Sequence, residues 1–296
     1  MIHDWLQLQY ADRPSFHRRM DSRSSIEPGA CHEVLDSTMD WWLPELKKTL
    51  SNASQDDPRL AKHICRRWLL PPFPERERQL IDPELEDYSQ RGQSKIVDEL
   101  LGQRTGGFYV ESGALDGEQL SNSLFFEKSR QWRGVLIEAN PLSFRYLLDK
   151  RRHAYAVNVC LSPTKRPVVM PFETANALGG LVDYMPDIHR RRIEHEQPNA
   201  SATIDLQCFP IYSILMALDV SHVDFFSLDI EGAEVEVLYT IPFDRITVDV
   251  FSIEYMVNND DNLSRKKLSQ IKKLLVNQHG YRIVQITGED VILQKP

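Results

Sequence analysis

Hydrophobic and polar positions follow two regimes along this chain, and the change falls near residue 89. Before it no period holds. Residues 13–29 are polar, with Arg, Ser and Pro, a composition expected to be poorly ordered. Trp41-Trp42-Leu43-Pro44 and residues 64–70 are apolar islands, read as short helices packed on a larger body. Pro71-Pro72-Phe73-Pro74 breaks the second. Residues 1–88 are therefore expected to form a partly disordered N-terminal arm with short helices, and 89–296 the main domain.

Past residue 89 the periods become regular. Ile96, Val97, Leu100 and Leu101 mark one side of a helix over 89–101. Apolar runs at 107–112, 133–138, 154–161, 222–230 and 246–255 read as buried strands. The stretches 120–129, 141–150, 211–218 and 234–239 read as helices, with Pro141 in a first turn. Residues 167–173 and 203–208 are further strands, separated by an irregular excursion through Gly179-Gly180 to about 202. Residues 263–278 are amphipathic, with Leu268, Ile271, Leu274 and Leu275 inward and the lysines outward. Residues 281–286 and 290–294 close the chain as a hairpin around Thr287-Gly288-Glu289. Repeated strand–helix units predict an α/β fold, a mostly parallel sheet with helices on both faces, made mixed by the terminal hairpin.

Composition narrows the function. Of 296 residues, 42% are hydrophobic and 26% charged, as in an ordinary soluble globular protein. The formal charge of −8 argues against a nucleic-acid partner held by phosphate contacts, and basic runs such as Arg190-Arg191-Arg192 read as solvated surface. No stretch approaches the roughly 20 apolar residues of a membrane span. The first residues lack a basic start followed by an apolar run, so no secretory signal is expected there. The expected location is the Golgi or ER lumen if an N-terminal anchor has been removed, and otherwise the cytoplasm. Cys31, Cys65, Cys160 and Cys208 show no zinc-type spacing. Cys160 and Cys208 fall on expected strands of one sheet and could pair in an oxidising lumen, a setting hinted at by sequons at Asn52, Asn199 and Asn262. Buried free thiols are the alternative.

Candidate chemistry gathers at strand ends. The first strand runs into Glu111-Ser112-Gly113-Ala114-Leu115-Asp116-Gly117-Glu118, a tight glycine turn before a helix. The second ends on Glu138-Ala139-Asn140. Backbone that comes close to a ligand, then an acid for both ribose hydroxyls, is what a nucleoside site in an α/β sheet needs. Gly113 and Gly117 are spaced G-x-x-x-G, and Leu120 stands where a dinucleotide site would have its third glycine. Glu111, Asp116 and Glu118 crowd the turn with negative charge, which repels a pyrophosphate and suits a cationic cofactor such as the sulfonium of S-adenosylmethionine. Asp229-Ile230-Glu231-Gly232 ends a later strand at the edge where ligands bind in open α/β sheets. Asp229 and Glu231 are candidates for a general base, a substrate contact or Mg²⁺ binding, with Glu254 ranked below them. Alternatively, Glu231 opens the helix that holds Glu234 and Glu236, where acids suit the dipole. The histidines form no zinc array, and His189 and His195 are expected at the surface. No serine-hydrolase elbow is present.

These residues resemble the FkbM-type methyltransferases, and more closely their animal, Star-like branch. The carriers are Phe108-Tyr109-Val110-Glu111-Ser112-Gly113-Ala114-Leu115-Asp116-Gly117-Glu118, Gly134-Val135-Leu136-Ile137-Glu138-Ala139-Asn140-Pro141, Cys160-Leu161-Ser162, Cys208-Phe209-Pro210-Ile211-Tyr212-Ser213-Ile214-Leu215 and Val223-Asp224-Phe225-Phe226-Ser227-Leu228-Asp229-Ile230-Glu231-Gly232-Ala233-Glu234. The resemblance implies a class I methyltransferase fold, Rossmann-like, with a seven-stranded sheet. It implies S-adenosylmethionine-dependent O-methylation of a small hydroxylated acceptor, sugars and glycans included. Glu111, Gly113, Ala114 and Gly117 would line the methionine end of the cofactor, with Asp116 in the same binding turn. Glu138 would hold the ribose with Asn140 beside it, and Cys160 and Leu161 would flank the adenine. Asp229 first and Glu231 second would act at the transferred methyl group. No metal ligand is assigned, and a divalent ion is compatible with the acids but not indicated. A homodimer is compatible too. Leu115 and Ser112 depart from the bacterial pattern, which bears on cofactor affinity. Some Star-like relatives are membrane-anchored trafficking proteins, so the alternative is a non-catalytic binding module that retains the fold.

Overall fold

The computed structural model describes residues 46–73, 77–197 and 201–296. The island at 41–44 and the polar stretch 13–29 lie outside the described residues. In chain order the strands are β1 (Phe108–Ser112), β2 (Arg133–Ile137), β3 (Tyr155–Val157), β4 (Cys160–Leu161), β5 (Val168–Glu173), β6 (Gly180–Leu181), β7 (Thr203–Phe209), β8 (His222–Leu228), β9 (Thr247–Glu254), β10 (Arg282–Thr287) and β11 (Asp290–Gln294). The helices are α1 (Pro58–Arg67), α2 (Gln93–Leu100), α3 (Leu124–Ser129), α4 (Pro141–Asp149), α5 (Asp187–Glu196), α6 (Ile211–Ala217), α7 (Glu234–Thr240) and α8 (Asp261–Ile271), the last continuing as wider turns over Lys272–Gln278.

Seven strands form the main sheet in the order β10-β11-β9-β8-β1-β2-β3. β1 pairs parallel with β2 and with β8, and β11 runs antiparallel to β9. The class I methyltransferase architecture expected from the sequence is therefore present. Strand alternation sends successive β1 side chains to opposite faces. Val110 joins Val135, Phe226 and Phe251 under α1, α6 and α7, whereas Tyr109 joins Leu136 and Phe225 under α2, α3 and α4. Burial on both faces explains why these strands read as continuous apolar runs. From β1 the chain winds outward through β2 and β3, then returns to place β8 on the other side of β1. The carboxyl ends of β1 and β8 thus flank a topological switch point, where such sheets bind ligands.

The arm contributes to this core. Asp57 caps α1 by accepting from the Arg59 N–H at 2.9 Å. Leu60 and Ile64 are fully buried, and Trp68 meets the Phe209 ring edge-on at 5.0 Å.

Four features differ from the sequence reading. The single strand expected over 154–161 is broken, with β3 in the main sheet and β4 in a second sheet ordered β4-β7-β5-β6. Asn158 Nδ2 donates to the carbonyls of Glu138 at 2.7 Å and Ala139 at 3.0 Å, which turns the chain out of the main sheet. The excursion expected to be irregular holds β6 and α5. That helix buries only His189 and Ile193, so its apolar stripe is too thin to show as a period. The helix expected from residue 120 begins at Leu124, because Leu120 has a left-handed φ of 59°. On α8 the lysines do not all face outward, since Lys267 is buried. Cys160 and Cys208 face each other across β4 and β7 and form a disulfide, with Cα atoms 4.3 Å apart.

Candidate active site

At the switch point the two central strands come unusually close. Gly113 follows β1 with φ of 82°, and a Cβ there would lie 1.8 Å from the Asp229 carbonyl oxygen. Only glycine permits that approach. Asp229 N–H donates to the Ser112 carbonyl at 3.1 Å and so ties the end of β8 to the end of β1. Over this junction opens a cavity of about 240 Å³.

One wall belongs to the first strands. Gly113, Ala114 and Glu138 line it, with Cys160 and Leu161 beyond them. Glu138 is held by backbone: Leu115 N–H donates to its Oε2 at 2.8 Å and Asn140 N–H to its Oε1 at 2.7 Å. Burial nevertheless raises its carboxyl to about 7. Glu111 also lines the cavity, but its oxygens accept from Ser121 and Ser123 Oγ at 2.9 and 2.5 Å and from Asn122 N–H at 2.6 Å. Burial pushes its carboxyl up, opposed by nearby Arg152.

Three expected cofactor residues do not line the cavity. Asp116 accepts from the N–H groups of Glu118 and Gln119 at 2.9 and 2.7 Å and sits 3.5 Å from Lys150. Gly117 packs on Leu147, and its carbonyl accepts from Arg152. Asn140 caps α4 by accepting from Leu142 N–H at 3.0 Å, so it supports Glu138 through its backbone and the helix through its side chain. The expected wall of negative charge is corrected accordingly. Glu118 turns away to Lys150 at 2.5 Å and to the amides of Ile81 and Asp82, each at 2.8 Å. Of the three acids in the turn, only Glu111 reaches the cavity lining.

The opposite wall is acidic. Asp229, Glu231 and Glu254 line it, and their carboxylate oxygens lie within 4.8 Å of one another. Burial first, and then the charge of Glu231, raises the Asp229 carboxyl well above its ordinary range. Burial and Glu234 raise Glu231 to about 8. Glu231 does not open α7: it precedes the helix with a left-handed φ of 59°. Its loop is clamped by Glu234, whose Oε1 accepts from the N–H groups of Ile230 and Gly232, both at 3.1 Å. Lys267 reaches in from α8 to Glu234 at 2.7 Å and Glu254 at 3.3 Å. Against the cost of burial, that ammonium holds the Glu234 carboxyl below its ordinary value. Three carboxylates this close have the chemistry to hold a hard cation, with Lys267 already on the Glu254 side.

The excursion covers this wall. A Cβ on Gly180 would lie 2.9 Å from the Glu231 carbonyl, and one on Gly232 would lie 2.5 Å from the Tyr184 carbonyl. His189, expected at the surface, is buried here, with Nε2 at 2.9 Å from the Leu178 carbonyl and Nδ1 at 3.6 Å from Glu231. Burial lowers its pKa. His195 is exposed, as expected. The sequence reading also missed Asn122, Arg192, Glu289 and Asp290, all of which line the cavity. The Ser121-Asn122-Ser123 run, polar within an otherwise buried segment, was the available signal for the first.

The sequence profile described as "Methyltransferase FkbM domain" matches residues 111–283, more than half of the chain. No curated protein sequence matches. Among solved structures, the methyltransferase FkbM of Methylobacillus flagellatus KT is similar at 13% identity and a TM-score of 0.39, covering 64% of this chain and 44% of that one. A precorrin-6y C5,15-methyltransferase from Geobacter metallireducens GS-15 is similar at 12% identity and 0.36, covering 68% and 87%. A SAM dependent methyltransferase from Aquifex aeolicus is similar at 11% identity and 0.35, covering 71% and 93%.

Proposed function

The chain belongs to the FkbM methyltransferase family, and from that premise we propose that it is an S-adenosylmethionine-dependent O-methyltransferase acting on a hydroxyl of a small acceptor, with sugars and glycans the favoured class. The observation that carries the reading is Asp229, hydrogen-bonded to Ser112 of β1 where Gly113 lets the two strands approach, and open to the same cavity as Glu138.

The residues fit the cofactor. Glu138 offers a carboxylate for ribose hydroxyls, Leu161 and Val159 give an apolar wall for the base, and the acidic wall favours a cation. When bound, S-adenosylmethionine supplies an activated methyl group on a sulfonium. The chain contributes position and proton transfer. Asp229 takes the acceptor hydroxyl's proton, helped by a proton affinity that burial and Glu231 raise well above the ordinary carboxylate range. Glu231 lies beside it on the loop clamped by Glu234, and shares that proton. Gln90, Asn258 and Glu289 line the same cavity with groups that hydrogen-bond neutral hydroxyls. Phosphorylated or carboxylated acceptors would meet like charge.

A methyl-transfer screen over sugars and hydroxylated metabolites, with EDTA or with Mg²⁺, tests the function. In the Asp229→Asn variant, turnover should fall by about 100-fold or more, with S-adenosylhomocysteine affinity within about threefold of the parent. Full turnover in that variant removes Asp229 from the mechanism.

A further inference from the structure

Asn122 lies between β1 and α3 and is 8% exposed. It is fixed from three sides. Its N–H donates to Glu111 Oε1 at 2.6 Å, its Nδ2 donates to Ser227 Oγ at 2.9 Å, and its carbonyl accepts from Ser94 Oγ at 3.1 Å. Yet its Oδ1 has no hydrogen-bond partner among the described residues, although the residue lines the cavity. An acceptor left this way carries an uncompensated desolvation cost. The amide nitrogen serves Ser227, but none of the described residues uses the oxygen. A ligand that donates to Oδ1 removes that cost.

We propose that Asn122 binds the amino-acid end of the cofactor, its Oδ1 accepting a hydrogen bond from the α-ammonium group. The inference rests on the S-adenosylmethionine reading. Three positions along the cavity set the direction. Leu161 lies on β4, Glu138 follows β2, and Asn122 bridges Glu111 of β1 and Ser227 of β8. A ligand with its base against Leu161 and its ribose on Glu138 must extend its third part toward β1 and β8. Charge selects which group of that part is met. Asn122 is hydrogen-bonded to the Glu111 carboxylate, which attracts an ammonium and repels a carboxylate.

Calorimetry with three ligands tests this without turnover. S-adenosylhomocysteine carries the ammonium, its deaminated analogue lacks only that group, and 5′-methylthioadenosine lacks the whole amino-acid end. Asn122→Ala should weaken S-adenosylhomocysteine by about tenfold and leave the other two within about twofold. Unchanged affinity for S-adenosylhomocysteine would overturn the proposal. Equal losses for all three ligands would do the same, since they would make Asn122 a structural strut. If the Ala variant does not fold, Asn122→Thr, which keeps a hydroxyl for Ser227, is read by the same criteria. A parent protein that binds none of the three nucleosides refutes the cofactor reading itself, and this inference with it. A parent that binds all three while the variant matches it refutes only the role of Asn122.

Discussion

The two walls of the cavity treat charge in opposite ways. In the wall built by β1 and β2, each acid is settled by a fixed partner. Glu138 accepts two backbone amides and Glu111 two serine hydroxyls and the Asn122 amide, while behind the wall Glu118 meets Lys150, and Arg152 with Arg78 holds Glu127 at about 2 against the cost of burial. In the wall built by β8 and β9, Asp229, Glu231, Glu234 and Glu254 share the single ammonium of Lys267, and all but Glu234 are driven upward. The first wall has fixed geometry and suits recognition. The second crowds raised carboxyls around one ammonium, with Glu231 at about 8, and suits proton transfer.

Lys267→Met strikes the second wall hardest. It leaves Glu234, whose side chain is 0% exposed, without its cation. Breaking one half of a buried pair costs about 3–5 kcal/mol. Chemical denaturation should show that loss, and Lys267→Met with Glu234→Gln should recover most of it because neither charge then remains. A single variant as stable as the parent would mean the acidic wall does not depend on Lys267. Gly113→Ala strikes the seam between the walls. Its Cβ would sit 1.8 Å from the Asp229 carbonyl, at a backbone angle that L-residues rarely adopt. Forced separation of β1 and β8 should cost about 3 kcal/mol and abolish S-adenosylhomocysteine binding. Thermal melts and calorimetry read the two effects, and a variant that still binds would separate the seam from the site.

The first wall was far more legible in the sequence than the second. Gly113 and Glu138 follow apolar strands directly, so strand, turn and acid lie within a few residues and local rules suffice. Asp229 was legible for the same reason. Lys267 was not, because on an amphipathic helix a lysine reads as solvent-facing, and its partners Glu234 and Glu254 lie on other elements. The charges of Asp116 and Glu118 were misread in the same way: Lys150, which pairs them, comes from the end of α4. The main sheet's parallel character was legible in the period, and its seven strands in the family resemblance. The second sheet was not, since its defining event is one side chain, Asn158, bonding two carbonyls.

Acidity divides two acids on the β1–β2 side, Glu138 and Glu127. The Glu138 carboxyl titrates at about 7 in the folded chain, against an ordinary 4.5. The folded state then binds the proton more tightly than the unfolded state, so stability falls as pH rises from 4.5 to about 7 and stays low above it. At about 1.4 kcal/mol per pH unit the effect is at most about 3.5 kcal/mol. Glu127, held at about 2, has the opposite sign: its contribution is complete above 4.5 and is lost as pH falls toward 2. Denaturation midpoints should therefore decline from pH 5 to 7.5 in the parent and decline less steeply in Glu138→Gln, where the raised acids of the second wall still contribute. Ribose hydroxyls favour the ionised carboxylate, so S-adenosylhomocysteine binding near pH 6.5 should release a proton, read as a buffer-dependent heat. Equal heats in two buffers of different ionisation enthalpy would count against Glu138 as the ribose acid.

The smallest expected effect separates support from contact within the first wall. Asn140 stands next to Glu138 and invites a role in binding, yet what touches Glu138 is its backbone N–H, and its side chain caps α4 at Leu142. Asn140→Ala keeps that N–H and removes the cap. Loss of an Asn cap costs about 1 kcal/mol, so the thermal midpoint should drop by a few degrees. Affinity for S-adenosylhomocysteine should stay within about twofold, because the backbone that orients Glu138 is held independently by the Glu138 N–H bond to Val157 at 3.2 Å and by Pro141 at the start of the helix. A fall in affinity of about tenfold with an unchanged midpoint would reverse the assignment and return Asn140 to the ligand.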